Sequence, residues 1–204
     1  MEKKKIETKK EFDRQAKDYD DAHYGDHARK IYPYILEEIA KYPASAILDL
    51  GCGTGELLKQ IAMQNHGHRL FGVDLSKKML EIAYQKLENK AYLLYGDAEY
   101  LLFEKNKFDL IYCNDSFHHY PNPKKALKEV ARVLKKDGIF LLGDCWQPLG
   151  SRWIMNLYMK ISRSGDVKIY SKKQIMTLLS EDFKIKEWKV TADKTAFFCV
   201  AVKQ

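Results

Sequence analysis

Ala46-Ile47-Leu48-Asp49-Leu50-Gly51-Cys52-Gly53-Thr54-Gly55 is the stretch on which the fold turns. Its first five residues are apolar apart from Asp49, the length and composition of a short strand buried on both faces. Three glycines at alternate positions follow, and Glu56 to Gln64 then reads as a helix. A strand, a glycine loop and a helix make the opening unit of a parallel α/β sheet. Glycine has no Cβ, so backbone N–H groups in such a loop can approach a ligand closely. The helix N-terminus behind them attracts negative charge.

The same unit recurs downstream. Arg69-Leu70-Phe71-Gly72-Val73-Asp74 is a strand ending in an acid, and Ser76 is placed to cap the helix that follows. Tyr92 to Asp97 reads as a third strand, also ending in an acid, and Phe108 to Asn114 as a fourth. A helix from Pro123 to Leu134 places Ala126, Leu127, Val130 and Val133 on one face. Lys135 to Gly138 reads as a turn into a fifth strand, Ile139 to Asp144. Beyond it, Trp153 to Ile161 is a helix apolar on nearly all sides, and Ser171 to Gln174 has capping-box spacing before Ile175 to Leu179. Phe183 to Val190 and Ala196 to Val202, joined through Ala192-Asp193-Lys194, read as an antiparallel pair. Before the first strand, residues 12–42 read as helical, with Pro33 at an early break or first turn. The predicted fold is therefore α/β: a Rossmann-like doubly wound, mostly parallel seven-stranded sheet with an antiparallel C-terminal strand pair and an N-terminal helical arm. Residues 1–204 read as one domain, with the arm over 1–42, the core over 43–145 and the cover helices and final strands over 146–204.

Composition narrows the class. In 204 residues, 46% hydrophobic and 12% aromatic content excludes a disordered or fibrous chain. No apolar stretch approaches the roughly 18 residues of a spanning helix, and the lysine-rich start is not a secretory signal. Cys52, Cys113, Cys145 and Cys199 are far apart with no CxxC, which reads as reduced thiols in a cytoplasmic protein. The net charge of +7 is uneven: residues 1–10 carry five Lys against two Glu, and residues 151–204 carry eleven basic residues against five acidic ones. That basic tail could meet an anionic substrate or RNA, or be a solvated surface.

In an open α/β sheet, ligands bind beyond the carboxyl ends of the strands. The glycine loop does not fit a dinucleotide fingerprint, because Glu56 stands where a small residue is wanted, and no GK[ST] follows for a P-loop. Asp74, 23 residues past Gly51, can accept from both hydroxyls of a ribose, and Asp97 from an adenine amino group. A glycine loop with two strand-end acids and no phosphate-binding lysine describes a nucleoside ligand without phosphates.

Ile47 to Gly55 resembles the first motif of the class I S-adenosylmethionine-dependent methyltransferases. Phe71-Gly72-Val73-Asp74-Leu75-Ser76 with Met79, Gly96-Asp97-Ala98-Glu99 and Phe108-Asp109-Leu110-Ile111 resemble the next three. Ala126 to Gly138 is similar to the family's helix and turn before the fifth strand, and Phe12 to Asp20 resembles the arm of the small-molecule, quinone-biosynthesis-like branch. The resemblance spans residues 12–145 and fades over the last 55 or so.

The resemblance implies S-adenosylmethionine as cofactor and S-adenosylhomocysteine as product. Gly51 and Gly53 would line the methionine part, with Cys52 in the same loop, and Asp49 would favour the ammonium. Asp74 would bind the ribose. Leu75 and Met79 would pack on the adenine, Asp97 and Ala98 would meet its edge, Asn114 would lie near the methionine, and Tyr19 would close over the cofactor. The candidate bases are His118 and His119. No acidic third ligand has clear spacing from that pair, so no metal is expected. His66 and His68 read as solvent-exposed; His23 and His27 of the arm carry no assignment. Trp146, Trp153 and Leu157 would form an apolar lid over the acceptor, the alternative being plain core.

The absence of [DN]PP[YFW] after the fourth strand, and of a Pro-Cys nucleophile, argues against a nucleic-acid substrate. The expected activity is methyl transfer to a small molecule by a monomer or homodimer. An RNA methyltransferase, a non-catalytic cofactor-binding partner protein and a nicotinamide-dependent oxidoreductase are the competing readings.

Overall fold

The computed structural model describes residues 2–21, 23–64, 67–162 and 164–204. Seven strands form one sheet: β1 (Ala46–Leu50), β2 (Arg69–Asp74), β3 (Ala91–Tyr95), β4 (Phe108–Asn114), β5 (Leu134–Cys145), β6 (Phe183–Val190) and β7 (Ala196–Lys203), in the order β3-β2-β1-β4-β5-β7-β6. The first five are parallel, β7 is antiparallel to both neighbours, and β6 therefore shares the direction of β1 to β5. The order reverses at β1, whose neighbours are β2 and β4, and this switch point puts the glycine loop at the centre of the carboxyl edge.

Helices cover both faces because alternate strand residues are apolar on both. Leu48 and Leu50 of β1 join a core cluster with Leu127 and Val130 of α6 (Pro123–Val133) and Ile175 and Leu179 of α8 (Lys172–Leu179). Ile47 points to the other face, into a cluster with Leu58 of α4 (Glu56–Met63), Leu80 of α5 (Lys77–Leu87) and Ile31, Ile35 and Ile39. The last two belong to α3 (Tyr32–Ile39), where Pro33 occupies the first turn. The caps fall where expected: Ser76 Oγ accepts from the Met79 N–H at 3.1 Å, and Ser171 and Gln174 form the full capping box.

Three boundaries differ from expectation. The arm is helical from its start, as α1 (Glu2–Gln15), with a short α2 (Asp26–Arg29) before α3. Lys135 to Gly138 does not end a helix and begin a strand; β5 starts at Leu134, pairs with Phe108 and shifts register before Ile139 meets Leu110, with Asp137 at φ 59° absorbing the irregularity. The apolar helix is α7 (Leu149–Met159), and it is neither core nor buried lid: only Met159 is buried, while Trp153 is 69% and Leu157 54% exposed.

Candidate functional site

Two adjoining cavities sit on the carboxyl ends of β1, β2 and β4, sharing Tyr19, Gly51, Gly53 and Asn114 as their common wall. The larger, about 750 Å³, takes its walls from Asp74, Leu75 and Met79, from Gly96 to Glu99 after β3, and from Asn114 to Ser116 with His119 and Tyr120 after β4. The smaller, about 350 Å³, is lined by Asp49, Cys52, Thr54 and Leu57, with Ala28 and Tyr32 closing it. All eleven residues assigned to the cofactor from sequence thus line one cavity or the other. Asp49 and Cys52 belong to the smaller alone.

The glycine loop is pinned to β2: the N–H groups of Gly51 and Cys52 both donate to Val73 O, at 2.8 and 3.1 Å. Gly51 has φ 84°, and a Cβ there would collide with the Ser116 side chain. Gly53 has φ 52°, but a Cβ built on it would meet nothing within 4 Å. One glycine lets two loops touch, and the other keeps the cavity wall bare.

Asp74 accepts from Gly53 N–H and Ser76 N–H, both at 2.8 Å. Burial raises its carboxyl to about 6 against the lowering effect of those two donors. Burial also pushes Asp49 well up, with the nearby Asp74 charge adding to the shift. An ammonium entering the smaller cavity would favour the charged form again. The Asn114 side chain donates to Ala28 O at 3.2 Å, while its Oδ1 is buried with no partner among the described residues. An orphaned acceptor on a residue of the shared wall fits a ligand that brings a donor of its own.

The arm supplies further walls, of which Lys5 and Thr8 have no sequence signal beyond a charged run. Lys5, Thr8 and Phe12 of α1 line the larger cavity beside Tyr19. Lys5 Nζ lies 2.6 Å from Asp97 and 2.7 Å from Glu99, whose carboxylate also accepts from Asn122 N–H. Farther along, Asp20 accepts from Thr54 Oγ1 and pairs with Lys86, which also holds Glu56 at 2.9 Å. Glu56, the residue that spoils a dinucleotide fingerprint, is thus a partner in latching the arm.

His118 and His119 enter the site differently. His119 lines the larger cavity, its ring edge-on to Phe12 at 5.0 Å, whereas His118 is turned behind it. Burial opposes charge on His118, but the Asp144 carboxylate, 2.6 Å from Nδ1, outweighs it and holds the imidazole well above its ordinary range. Burial and the neighbouring His118 charge lower His119 to about 4. The structure brings an acidic residue to this pair, Asp166, 47 positions from His119 along the chain, a placement no local spacing could reveal. His27 is also drawn in, bonded to Asp115 at 2.7 Å and to Thr195 O at 3.0 Å.

Trp146, Trp153 and Leu157 do not line either cavity. Trp146 packs against the core and donates its N–H to Thr195 O, and the apolar side of α7 faces outward. His68 is half-buried, with Nδ1 2.6 Å from Ala44 O, so it is not a free surface histidine. His66 and the side chain of His23 lie outside the described residues.

A parallel sheet reversing at a glycine loop, with an acid at the end of the next strand, is a Rossmann-like arrangement. The fold is that of the S-adenosylmethionine-dependent methyltransferases that the sequence resembles. The family description "Methyltransferase domain" matches residues 48–142. An uncharacterized methyltransferase, YcgJ of Bacillus subtilis, is 39% identical over 106 residues, covering 50% of this chain and 41% of that one. The demethylmenaquinone methyltransferase of Thermotoga maritima is 30% identical over 124 residues, covering 61% and 54%. The chain spans about half the length of the curated relatives it matches. Among solved structures, a methyltransferase in complex with the Haloferax volcanii Trm112 methyltransferase activator superposes with a TM-score of 0.77 at 20% identity, covering 94% of this chain and 97% of that one. Among the described residues, no helix is long and apolar enough to cross a membrane.

Proposed function

We propose that this chain transfers a methyl group from S-adenosylmethionine to a small apolar acceptor of the quinone or aromatic type. The observation that carries the reading is the pair of cavities sharing one wall, with the Asp74 carboxyl in one and the Asp49 carboxyl in the other. When bound, the cofactor supplies a methyl group already activated on a sulfonium and leaves as S-adenosylhomocysteine.

The protein's part is to bind, orient and exclude water. Asp74 would take the ribose hydroxyls, Leu75, Met79 and Ala98 would flank the adenine, and Asp97 would meet its edge. Asp49, Asn114 and the loop from Gly51 to Gly53 would hold the amino-acid end. Tyr19 and Phe12 would roof the site and keep water out. Alignment of two reactants can be worth roughly 7–11 kcal/mol of the barrier in favourable cases, so a sparse site suffices. Where the acceptor atom carries a proton, His119 stands in the cavity wall to receive it, with His118 a positioning residue behind. The acceptor class rests on the demethylmenaquinone methyltransferases among the relatives and on Leu50, Val73, Tyr120 and Pro121 in the cavity lining. Buried free thiols suit a reducing, cytoplasmic setting.

The test is a calorimetric titration with S-adenosylhomocysteine, with NAD alongside and Asp74→Ala as control, followed by an acceptor panel. Binding of S-adenosylhomocysteine that the substitution abolishes is the expected result. A folded protein that binds NAD instead, or neither ligand, would refute the proposal.

A further inference from the structure

Three ligand-type atoms from two loops converge behind the wall of the larger cavity. His118 Nε2 lies 3.6 Å and His119 Nδ1 3.3 Å from the same oxygen, Asp166 Oδ1. All three atoms fall within 4.8 Å of one another. Ligands about 2.1 Å from a common cation stand roughly 3.0–3.5 Å apart in octahedral or tetrahedral arrangements. The two measured separations are close to that spacing.

His119 supplies an independent observation. It is 9% exposed, and its Nδ1 is buried without a hydrogen-bond partner among the described residues. The 3.3 Å approach to Asp166 is therefore not a hydrogen bond, and a buried ring nitrogen beside the cluster is left unsatisfied.

The surroundings orient each of the other two ligands. His118 Nδ1 lies 2.6 Å from Asp144 Oδ1 and donates to it, so a cation at Nε2, on the side of Asp166, would displace the second proton of the imidazolium. A carboxylate behind the imidazole is the usual outer support of a metal-bound histidine. Asp166 Oδ2 accepts from Ser164 Oγ at 2.7 Å, which turns Oδ1 toward the histidines. The N–H groups of Val167 and Lys168 both donate to His118 O, at 2.9 and 3.1 Å, fastening the loop that carries Asp166 against the histidine pair. Asp144, Asp166 and Asp115 all stand within 4.0 Å of a His118 nitrogen, a concentration of carboxylates that favours a cation.

We propose that His118, His119 and Asp166 form a three-ligand site for a divalent first-row cation, zinc in the first instance. Two imidazole nitrogens and one carboxylate oxygen are a donor set that suits zinc and leaves a fourth position open. His119 also lines the larger cavity, so a bound cation would sit directly behind its wall. In that case the His119 Nδ1 lone pair is committed to the cation and not to a proton from the acceptor. The inference deepens the site assigned above to methyl transfer, but cation binding is measurable without the cofactor.

The experiment uses the 204-residue chain, stripped with a chelator and titrated with ZnCl₂ by calorimetry, with elemental analysis for stoichiometry. One zinc per chain is expected. Asp166→Asn is the informative variant, because that side chain is partly exposed and its loss need not disturb the core. It should weaken zinc binding by at least about 30-fold, and Asp144→Asn, which acts through His118, by roughly 10–100-fold. Cobalt(II) offers a second reading: its visible d–d bands should change markedly in Asp166→Asn. A titration with S-adenosylhomocysteine on each variant reports whether fold and cofactor site survive. Zinc affinity unchanged in Asp166→Asn, or no stoichiometric zinc in a chain that still binds S-adenosylhomocysteine, overturns the cation site and leaves the methyltransferase reading standing. Zinc binding that depends on Asp166 in a chain that binds no S-adenosylhomocysteine supports the site and sinks the methyltransferase reading.

Discussion

Lys5, near the start of the first helix, places its ammonium 2.6 Å from the carboxylate of Asp97, at the end of the third strand. Ninety-two residues apart in sequence, the two groups meet on the wall of the larger cavity. The arm therefore touches the group assigned to the adenine edge and is part of the site itself. Lys5→Met should loosen α1 and leave Asp97 and Glu99 without their cation. On the scale of about 1 kcal/mol for a partly exposed pair, affinity for S-adenosylhomocysteine should fall about fivefold, mostly through faster dissociation. Stopped-flow dissociation would read this. A rise in affinity would mean that Lys5 competes with the adenine for Asp97.

Asp74 gives the site a pH dependence of known sign. Its carboxyl is held up at about 6, and a carboxylate is needed to accept from two ribose hydroxyls. The proton competes with the ligand, so affinity should be flat above about pH 7 and fall as pH drops through 6, approaching tenfold per unit below it. Calorimetry from pH 5 to 8 measures the slope. Affinity that holds steady down to pH 5 would show that this carboxyl does not carry the contact.

Gly51 and Gly53 should separate stability from binding. Gly51→Ala drives a Cβ into Ser116 at φ 84°, and a cost of about 1–3 kcal/mol in thermal unfolding is expected. Gly53→Ala meets open space, so unfolding should change by only about 1 kcal/mol from backbone strain. Its methyl points into the cavity wall, and ligand affinity should drop well beyond that. Equal effects of the two substitutions on binding would remove the distinction.

The two tryptophans flanking the fifth strand's exit should behave as opposites. Trp146 packs against the core, and Trp146→Ala should destabilise by about 2 kcal/mol, less than the roughly 3–5 of a fully buried tryptophan. Trp153 is exposed, and Trp153→Ala should stay within about 0.5 kcal/mol. Denaturant unfolding of both variants decides. A large loss for Trp153→Ala would mean that α7 is covered in solution by something the isolated chain supplies.

Much of the fold is legible in the sequence because buried parallel strands are short apolar runs punctuated by glycine and acid. Residues 46–50, 69–74 and 108–114 carry that signal without ambiguity, and Ser76 and Ser171 mark helix starts by chemistry that acts within three residues. The residues proposed for the cofactor can be named from sequence for the same reason, since they sit at strand ends in a fixed order. What escapes is whatever depends on distant chain segments meeting. Lys5 looks like one charge in a lysine run until α1 brings it to Asp97 and Glu99 in the loop after β3. Asp166 looks like an isolated loop acid until two backbone N–H groups fasten its neighbours to His118. The α7 helix misleads in the other direction: its composition reads as core or lid, yet composition cannot say whether a partner surface exists to cover it.

Thr8 is buried in the arm and hydrogen-bonds to Gly165 O across 157 residues of sequence, beside the loop that carries Asp166. A contact of that span pays a large loop-closure entropy and is reached late in folding. The arm therefore waits for a segment 157 residues downstream before it can settle. Until then the cavity that Leu50, Val73 and Met79 line would lack the wall that the arm supplies. A nascent or partly unfolded chain should consequently be a client for chaperones through this cavity, and ligand present during refolding should raise the yield of native protein by closing it.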